Sequence, residues 1–207
     1  MKARAQLQVF EGEFSAPKYQ SGNPIARYLV NNFLETILHL AQKSNVKTAH
    51  EIGCGEGQIT GMLAQNGFDI RGCDYDEASL AVARQQAQAY GLSIPLVKGD
   101  IYALDMARDR APLVLCCEVL EHLERPEEAL KNLCAITESH LLLSVPREPI
   151  WCMLNMARGK YLSDWGNTPT HINHWSTRAF VKFVSQYIDV IDVRTPLPWT
   201  VLLCRKR

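Results

Sequence analysis

The chain has 207 residues, 47% of them hydrophobic, which is enough for one well-buried domain and too few for two of ordinary size. Its 22 Lys and Arg residues balance its 22 Asp and Glu residues, so it lacks the basic excess that draws proteins onto nucleic acids or anionic membranes. The composition therefore argues against a nucleic-acid partner.

Cysteine content and hydropathy indicate the compartment. The seven cysteines are odd in number, include no Cys-x-x-Cys pair, and fall partly in apolar runs, where a thiol behaves as a small hydrophobic group. No sequence resembling a signal peptide opens the chain, and no apolar run approaches about 18 residues. We expect a cytoplasmic protein without a membrane span.

The first predicted element is an amphipathic helix over about residues 24–42. We interpret residues 1–45 as a helical cap on one side of a cleft, and residues 46–207 as the domain that forms the cleft. The apolar residues that recur at helical spacing are Ile25, Leu29, Phe33, Ile37 and Leu40.

From Thr48 onward, apolar runs alternate with helix-periodic stretches, which is typical of a parallel sheet with helices on both faces. The last two apolar runs flank Thr195-Pro196-Leu197-Pro198 and predict an antiparallel closing pair. The later helices are predicted to begin near Gly57, Asp76, Pro126 and Ser176. The predicted strands are 47–53, 68–73, 94–98, 112–117, 140–145, 188–194 and 199–204.

The segment at about 146–175 is too long for a simple connector, and it is rich in Trp, Asn, Gly and His. We interpret it as a substrate lid inserted after the fifth strand, with plain solvated surface as the alternative for its individual charges. The segment combines aromatic residues with charged ones, among them Glu148, Arg158 and Lys160. The predicted substrate-binding residues are Arg147, Trp151, Tyr161 and Trp165 from this segment, with Tyr19 and Arg27 from the N-terminal region.

The strongest functional signal is the turn after the first strand, Glu51-Ile52-Gly53-Cys54-Gly55-Glu56-Gly57, which leads into a helix. Glycines allow turns that a side chain forbids, and they let a ligand lie against bare peptide beside a helix N-terminus. A G-x-G-x-x-G dinucleotide fingerprint would need glycine where the chain has Gln58, so the spacing argues against a nicotinamide enzyme. The alternative is a tight turn that binds nothing.

Acidic residues follow the next two strands. Asp74 lies about twenty residues after the glycines, where a carboxylate can accept hydrogen bonds from both hydroxyls of a ribose. In Gly99-Asp100-Ile101, Asp100 could accept a hydrogen bond from an adenine amino group while Ile101 packs on the ring. The alternatives are an Asx turn at Asp74 and ordinary loop chemistry at Asp100.

Together with Cys117-Glu118-Val119-Leu120-Glu121-His122, these segments resemble the class I S-adenosylmethionine-dependent methyltransferases over roughly residues 47–145. The chain is most similar to the small bacterial enzymes grouped with the ubiquinone and menaquinone biosynthetic methyltransferases, whose fourth strand ends in a similar Glu-x-x-Glu-His stretch. The resemblance implies an α/β fold, namely a Rossmann-like, doubly wound sheet of seven strands with the last antiparallel, and S-adenosylmethionine as the cofactor.

The resemblance also implies the cofactor contacts. Glu51 and the glycines would face the methionine part, Asp74 would hold the ribose, and Glu118 would lie beside the sulfonium. Cys54 belongs to the turn, but its position varies in the family and its side chain is given no role. The implied cofactor-binding residues are Glu51, Gly53, Cys54, Gly55, Gly57, Asp74, Tyr75, Gly99, Asp100, Ile101 and Glu118.

Methyl transfer from a sulfonium has a good leaving group, so the protein contributes chiefly by aligning the reactants in a desolvated cleft. A hydroxyl acceptor would still gain from a base, and histidine suits that role. The candidates are His122, His171 and His174, with the last two favoured and structural roles as the alternative. We expect no metal, because this pair lacks convincing further ligands and Cys152 is the only nearby thiol.

The sequence therefore predicts methyl transfer to a small-molecule acceptor, with oxygen favoured because histidines are available. One alternative is an RNA or protein methyltransferase, against which stand the neutral charge and the lack of an Asp/Asn-Pro-Pro-Tyr run after the fourth strand. The other alternative is a non-catalytic domain that binds the cofactor as a regulatory signal or partner subunit. The sequence leaves the acceptor and the oligomeric state open.

Overall fold

One mixed β-sheet forms the centre of the protein, whose computed structural model describes residues 23–157, 159 and 164–207. The strands are β1 (Thr48–Ile52), β2 (Asp69–Asp74), β3 (Leu96–Lys98), β4 (Ala111–Cys117), β5 (Thr137–Pro146), β6 (Asp189–Arg194) and β7 (Trp199–Arg205). The helices are α1 (Pro24–Lys43), α2 (Gln58–Gln65), α3 (Glu77–Ala89), α4 (Pro126–Ile136), α5 (Ile150–Ala157) and α6 (Thr177–Val184).

The strand order is β3-β2-β1-β4-β5-β7-β6, and β7 runs antiparallel to both of its neighbours. The predicted Rossmann-like sheet of seven strands with an antiparallel last strand is therefore confirmed. Strand β1 pairs in parallel with both β2 and β4, so the direction of winding reverses between β1 and β4. In open α/β sheets, a ligand crevice lies outside the carboxyl ends of the strands at such a switch point.

Helices cover both faces of the sheet, because successive side chains of a strand point to opposite faces and apolar ones on both faces need burial. In β4, Leu113 and Leu115 belong to the core cluster that includes α1 and α2, whereas Val114 and Cys116 belong to the cluster that includes α4 and α6. A continuous apolar strand can be buried in this way only when helices lie on each side. The sheet and its two helical layers therefore hold the loops after β1 and β4 on a rigid support.

Helix α1 is a layer of this core as well as an N-terminal segment. Phe33, Leu34 and Ile37 are almost fully buried in the cluster that also contains Val201 and Leu203 of β7. Ile25, which was included in the predicted apolar face, is instead 68% exposed. The buried stripe begins one turn later because Ile25 lies at the helix start, where Asn23 accepts a hydrogen bond from its backbone amide.

The stretch after β5 contains a helix, α5, that the sequence analysis did not predict. Its residues are almost uniformly apolar, so they lack the alternation with polar residues that marks an amphipathic helix. Asn155 is buried and donates a hydrogen bond from Nδ2 to the carbonyl of Gly166, which ties the helix to the following turn. Among the described residues, no helix is both long and apolar enough to cross a membrane.

Candidate active site

The turn after β1 opens the crevice between β1 and β4. Gly53 has φ +77°, and a Cβ placed on it would lie 2.4 Å from Cγ2 of Val119, which follows β4. Gly57 also has a positive φ of +81°, and it precedes the first turn of α2. Glycine is needed at both positions because side chains rarely adopt this conformation. The turn therefore presents bare backbone to the crevice.

Two cavities adjoin this turn. The small cavity has a volume of about 260 Å³ and the large cavity about 570 Å³. Gly53, Gly55 and Glu118 line both of them, so the cavities meet at these residues. The small cavity is further lined by Glu51, Cys54, Glu56, Gln58, Ile59, Ser79 and Cys117. The large cavity is further lined by Ile52, Asp74, Tyr75, Gly99, Asp100, Ile101, Tyr102, Val119, His122 and Leu123.

Glu51 is a buried acid in the wall of the small cavity. Its side chain accepts a short hydrogen bond from the hydroxyl of Thr60 in α2. Desolvation by burial raises the pKa of Glu51 to about 8. Burial also raises the pKa of the Cys54 thiol, which therefore stays neutral beside the glycines. The small cavity thus contains an acid that a bound cation would ionise.

Asp74 and Asp100 line the large cavity while also shaping the loops that carry them. The Asp74 carboxylate accepts hydrogen bonds from the backbone amides of Gly55 at 2.7 Å and of Asp76 at 2.9 Å. The contact with Asp76 is the Asx turn that the sequence left as an alternative. Asp100 likewise accepts from the amide of Tyr102 at 2.9 Å. Tyr75 is 72% exposed, so its ring forms the outer rim of this cavity.

Glu118 lies at the junction of the two cavities, directly after β4. It adopts a left-handed conformation with φ +60°, which is uncommon for a residue with a side chain. Its carboxylate accepts hydrogen bonds from the indole Nε1 of Trp199 at 2.7 Å and from Oγ of Ser144 at 3.3 Å. Trp199 was not among the predicted site residues. It begins β7, and only its place in the fold brings it to the junction.

A second group of polar side chains adjoins the large cavity through His122, which lines it. Glu121 and His171 are buried, His122 is exposed, and their ligand atoms lie within 4.8 Å of one another. The rings of His122 and His171 meet edge to face at 4.9 Å. The backbone amides of Ile172 and Asn173 donate to the carbonyl of Glu121, which docks the His171 segment onto the loop after β4.

The hydrogen bonds of His122 define its tautomer. Nδ1 lies 2.9 Å from the carbonyl oxygen of Thr170, which can only accept a hydrogen bond, so Nδ1 carries the proton. The lone pair of neutral His122 is therefore on Nε2, which lies 3.9 Å from Oε1 of Glu121. An imidazole oriented in this way can accept a proton or bind a metal ion through Nε2.

The structure brings together a different pair of histidines from His171 and His174, the pair that the sequence favoured. His171 lies beside His122, whereas Nδ1 of His174 lies 3.5 Å from a carboxylate oxygen of Glu148. In the sequence, the candidate metal ligands near one another were His171, His174 and Cys152. The structure instead combines His122 and His171 with Glu121, a mixture of nitrogen and oxygen donors that suits a divalent transition metal. The Glu-His pair in the sequence was the available signal.

The predicted substrate-binding residues come from the segment after β5 and from the N-terminal region. Trp151 packs between His171, at 5.6 Å, and Trp199, at 6.0 Å, and donates its indole hydrogen to Thr168. Trp165 is 81% exposed and Arg27 is also exposed. Neither cavity is lined by Arg27, Arg147, Trp151 or Trp165. Tyr19 and Tyr161 lie outside the described residues, as do Arg158 and Lys160.

The strand order, the glycine turn after β1 and the acidic residues at the carboxyl ends of β1, β2, β3 and β4 agree with one class of known proteins. The chain has the fold of the class I S-adenosylmethionine-dependent methyltransferases. A family model described as a methyltransferase domain matches residues 50–140, which contain the glycine turn, Asp74, Asp100 and the Glu118–His122 segment. By fold and by this domain match, the protein is similar to the class I methyltransferases.

Two proteins with similar sequences are named as enzymes of ubiquinone biosynthesis. The chain is 31% identical over 100 residues to the ubiquinone biosynthesis O-methyltransferase of Coxiella burnetii (strain Dugway 5J108-111), a match that covers 47% of this chain and 43% of that protein. It is 34% identical over 89 residues to the enzyme of the same name from Shewanella sp. (strain ANA-3), which covers 42% of this chain and 38% of that protein. The matches thus span less than half the length of these relatives.

Among solved structures, the magnesium protoporphyrin IX methyltransferase of Synechocystis PCC 6803 with bound S-adenosylhomocysteine is similar over most of its length. The TM-score is 0.71 at 19% identity, and the match covers 96% of this chain and 91% of that chain. This similarity confirms the fold.

Proposed function

We propose that the protein transfers the methyl group of S-adenosylmethionine to a small-molecule acceptor, with an oxygen atom as the favoured acceptor. The observation that carries the proposal is the meeting of two cavities at Glu118. S-Adenosylmethionine is an amino acid joined to a nucleoside through a sulfonium. Its two parts suit the small cavity with Glu51 and the large cavity with Asp74 and Asp100.

The acceptor would enter the large cavity beside His122. Val119, Leu123 and Tyr102 supply apolar or aromatic wall there, which suits an acceptor with an apolar body. The relatives named as O-methyltransferases support an oxygen acceptor. Arg147 of the lid is half-buried, and its Nε is buried with no hydrogen-bond partner among the described residues. It could pair with an anionic group of the acceptor when the lid closes.

In this reaction the acceptor oxygen forms a bond to the methyl carbon while the carbon–sulfur bond breaks and its electrons remain on sulfur. The hydroxyl proton must leave, and Nε2 of His122 carries a lone pair that can take it. Glu121 and His171 stand beside this ring and can orient it or stabilise its charge. A divalent cation held by Glu121, His122 and His171 would instead lower the pKa of the hydroxyl.

Calorimetric titration with S-adenosylhomocysteine tests the cofactor site. The Asp74→Asn variant keeps an oxygen acceptor for the Asx turn and removes the charge, so we expect its affinity to fall by about tenfold or more. Asp69→Asn, at the exposed start of the same strand, should bind like wild type. A folded wild-type protein that binds no S-adenosylhomocysteine would overturn the proposal. Binding without turnover of any acceptor would favour the non-catalytic alternative.

Chelation separates the two ways of activating the acceptor. If His122 acts as a base, methyl transfer should survive dialysis against EDTA. If a cation acts, EDTA should abolish transfer and a divalent metal should restore it. In both cases His122→Ala should lower single-turnover methyl transfer while leaving S-adenosylhomocysteine binding largely intact. Unchanged transfer in this variant would remove His122 from the mechanism.

A further inference from the structure

Trp199 makes a hydrogen bond to Glu118 at the cavity junction that could not be predicted from the sequence. It is 3% exposed, and its ring stacks on Phe33 of α1 at 4.5 Å and lies 6.0 Å from Trp151 of α5. Its indole Nε1 reaches out of this aromatic cluster to the carboxylate of Glu118 at 2.7 Å. Trp199 therefore connects the packing of two helices to the residue between the cavities.

Among the described residues, Gly53, Gly55 and Glu118 line both cavities, and of these Glu118 alone has a side chain. The sulfur atom joins the amino-acid and nucleoside parts of the cofactor, so a cofactor that fills both cavities has its sulfur near this residue. A carboxylate there attracts a sulfonium cation and gains nothing from a neutral thioether. Its position thus affects how well the site distinguishes the cofactor from its demethylated product.

Several neighbouring groups fix the orientation of the Glu118 carboxylate. The backbone of Glu118 is held in the left-handed region, which is unfavourable for a residue with a side chain unless the surroundings compensate. The hydrogen bonds from Trp199 and Ser144 come from neutral donors, so these two contacts orient the carboxylate without placing a positive charge beside it. The indole is the shorter contact, and its rigid aromatic packing fixes where the hydrogen-bond donor lies.

We propose that Trp199 is a positioning residue that holds the Glu118 carboxylate toward the sulfonium, so that the site prefers a cationic ligand over the neutral thioether product. This inference rests on the proposed function, because it assumes that the two cavities bind S-adenosylmethionine. It assigns a role in cofactor exchange: the product, having lost the positive charge, binds less tightly at the junction and leaves more readily.

Two ligands measured by calorimetry test this role. Sinefungin carries a protonated amine in place of the sulfonium methyl group and cannot react, whereas S-adenosylhomocysteine is neutral at sulfur. We expect Trp199→Phe to lower the ratio of the two affinities by about tenfold, mainly through weaker sinefungin binding. Trp175→Phe is the matched control, since that ring packs on Phe180 and Phe183 and should leave the ratio unchanged.

A double-mutant cycle shows whether Trp199 changes the ratio of the two affinities through Glu118. Glu118→Gln should lower the same ratio, and adding Trp199→Phe to it should lower the ratio no further. Equal losses for both ligands in Trp199→Phe, or a full additional loss in the Glu118→Gln background, would overturn the inference. Incorporating benzothienylalanine at position 199 keeps the shape and removes only the N–H, so it answers the question if Trp199→Phe does not fold.

The two proposals fail in different ways. If wild type binds neither ligand, the proposed cofactor site is wrong. If wild type binds both ligands and the ratio is the same in Trp199→Phe, the cofactor site stands and the role of Trp199 is wrong.

Discussion

At the scale of single residues, the site combines groups whose properties depend on burial. Glu51 is the clearest case, because desolvation raises its pKa to about 8 and leaves it mostly protonated at neutral pH. A methionine-type ammonium bound in the small cavity would favour the ionised form. Cofactor binding should therefore be linked to the release of a proton from this acid.

We predict that S-adenosylhomocysteine binding at pH 7 releases a proton to the buffer. The apparent binding enthalpy should then differ between phosphate and Tris, whose ionisation enthalpies differ, and the difference gives the number of protons released. Glu51→Gln removes the titrating group and should remove most of this buffer dependence. The same buffer dependence in Glu51→Gln and wild type would show that the proton comes from elsewhere.

At the scale of secondary-structure elements, the pattern of the sequence predicted most of the fold. Strands β4, β5 and β7 contain continuous apolar runs, so their positions could be predicted to within a few residues. Helix α5 was missed because its residues are apolar on nearly all sides. The contact between Trp199 and Glu118 was missed because it joins residues 81 positions apart, and no local pattern encodes such a pairing.

The same distinction applies to the histidines. His171 and His174 are close in sequence and were grouped for that reason, although their side chains meet different partners. His122 is far from His171 in sequence, but the bonds from Ile172 and Asn173 to the carbonyl of Glu121 bring the two rings together. Sequence could supply the candidates for this site, and only the docking of the His171 segment onto the loop after β4 could select among them.

Helix α1 gives a prediction at this scale. Phe33 is 1% exposed in the core shared with β7, so Phe33→Ala should lower the free energy of unfolding by about 3–5 kcal/mol. Ile25→Ala, on the same helix but 68% exposed, should change it by no more than about 0.5 kcal/mol. Urea denaturation measures both values. Similar small effects for the two variants would show that α1 is a detachable cap.

At the scale of the whole molecule, stability depends on every group whose pKa differs between the folded and unfolded chain. Two such groups are neighbours in β1 and act in opposite directions. Burial lowers the pKa of His50, whose Nδ1 lies 2.9 Å from the carbonyl oxygen of Asp109, and raises that of Glu51. The folded protein thus favours the neutral form of both side chains.

The pH ranges follow from the sign of each shift. The unfolded chain protonates His50 near pH 6.5 while the folded chain resists, so this residue lowers stability as pH falls below about 6.5. The unfolded chain ionises Glu51 near pH 4.5 while the folded chain retains its proton up to about pH 8, so this residue lowers stability as pH rises between those values. Without ligand, only Glu51 of this pair acts between pH 6.5 and 8.

We predict that urea denaturation from pH 5 to 9 separates the two contributions as differences from wild type. Relative to wild type, Glu51→Gln should gain stability as pH rises through 6.5 to 8, and the gain should level off above that range. His50→Asn keeps a hydrogen-bond donor for the carbonyl of Asp109 and does not titrate, so it should gain stability relative to wild type only as pH falls below about 6.5. Flat difference curves would mean that folding does not shift the two pKa values, and curves that slope the other way would mean that the folded chain favours the charged forms.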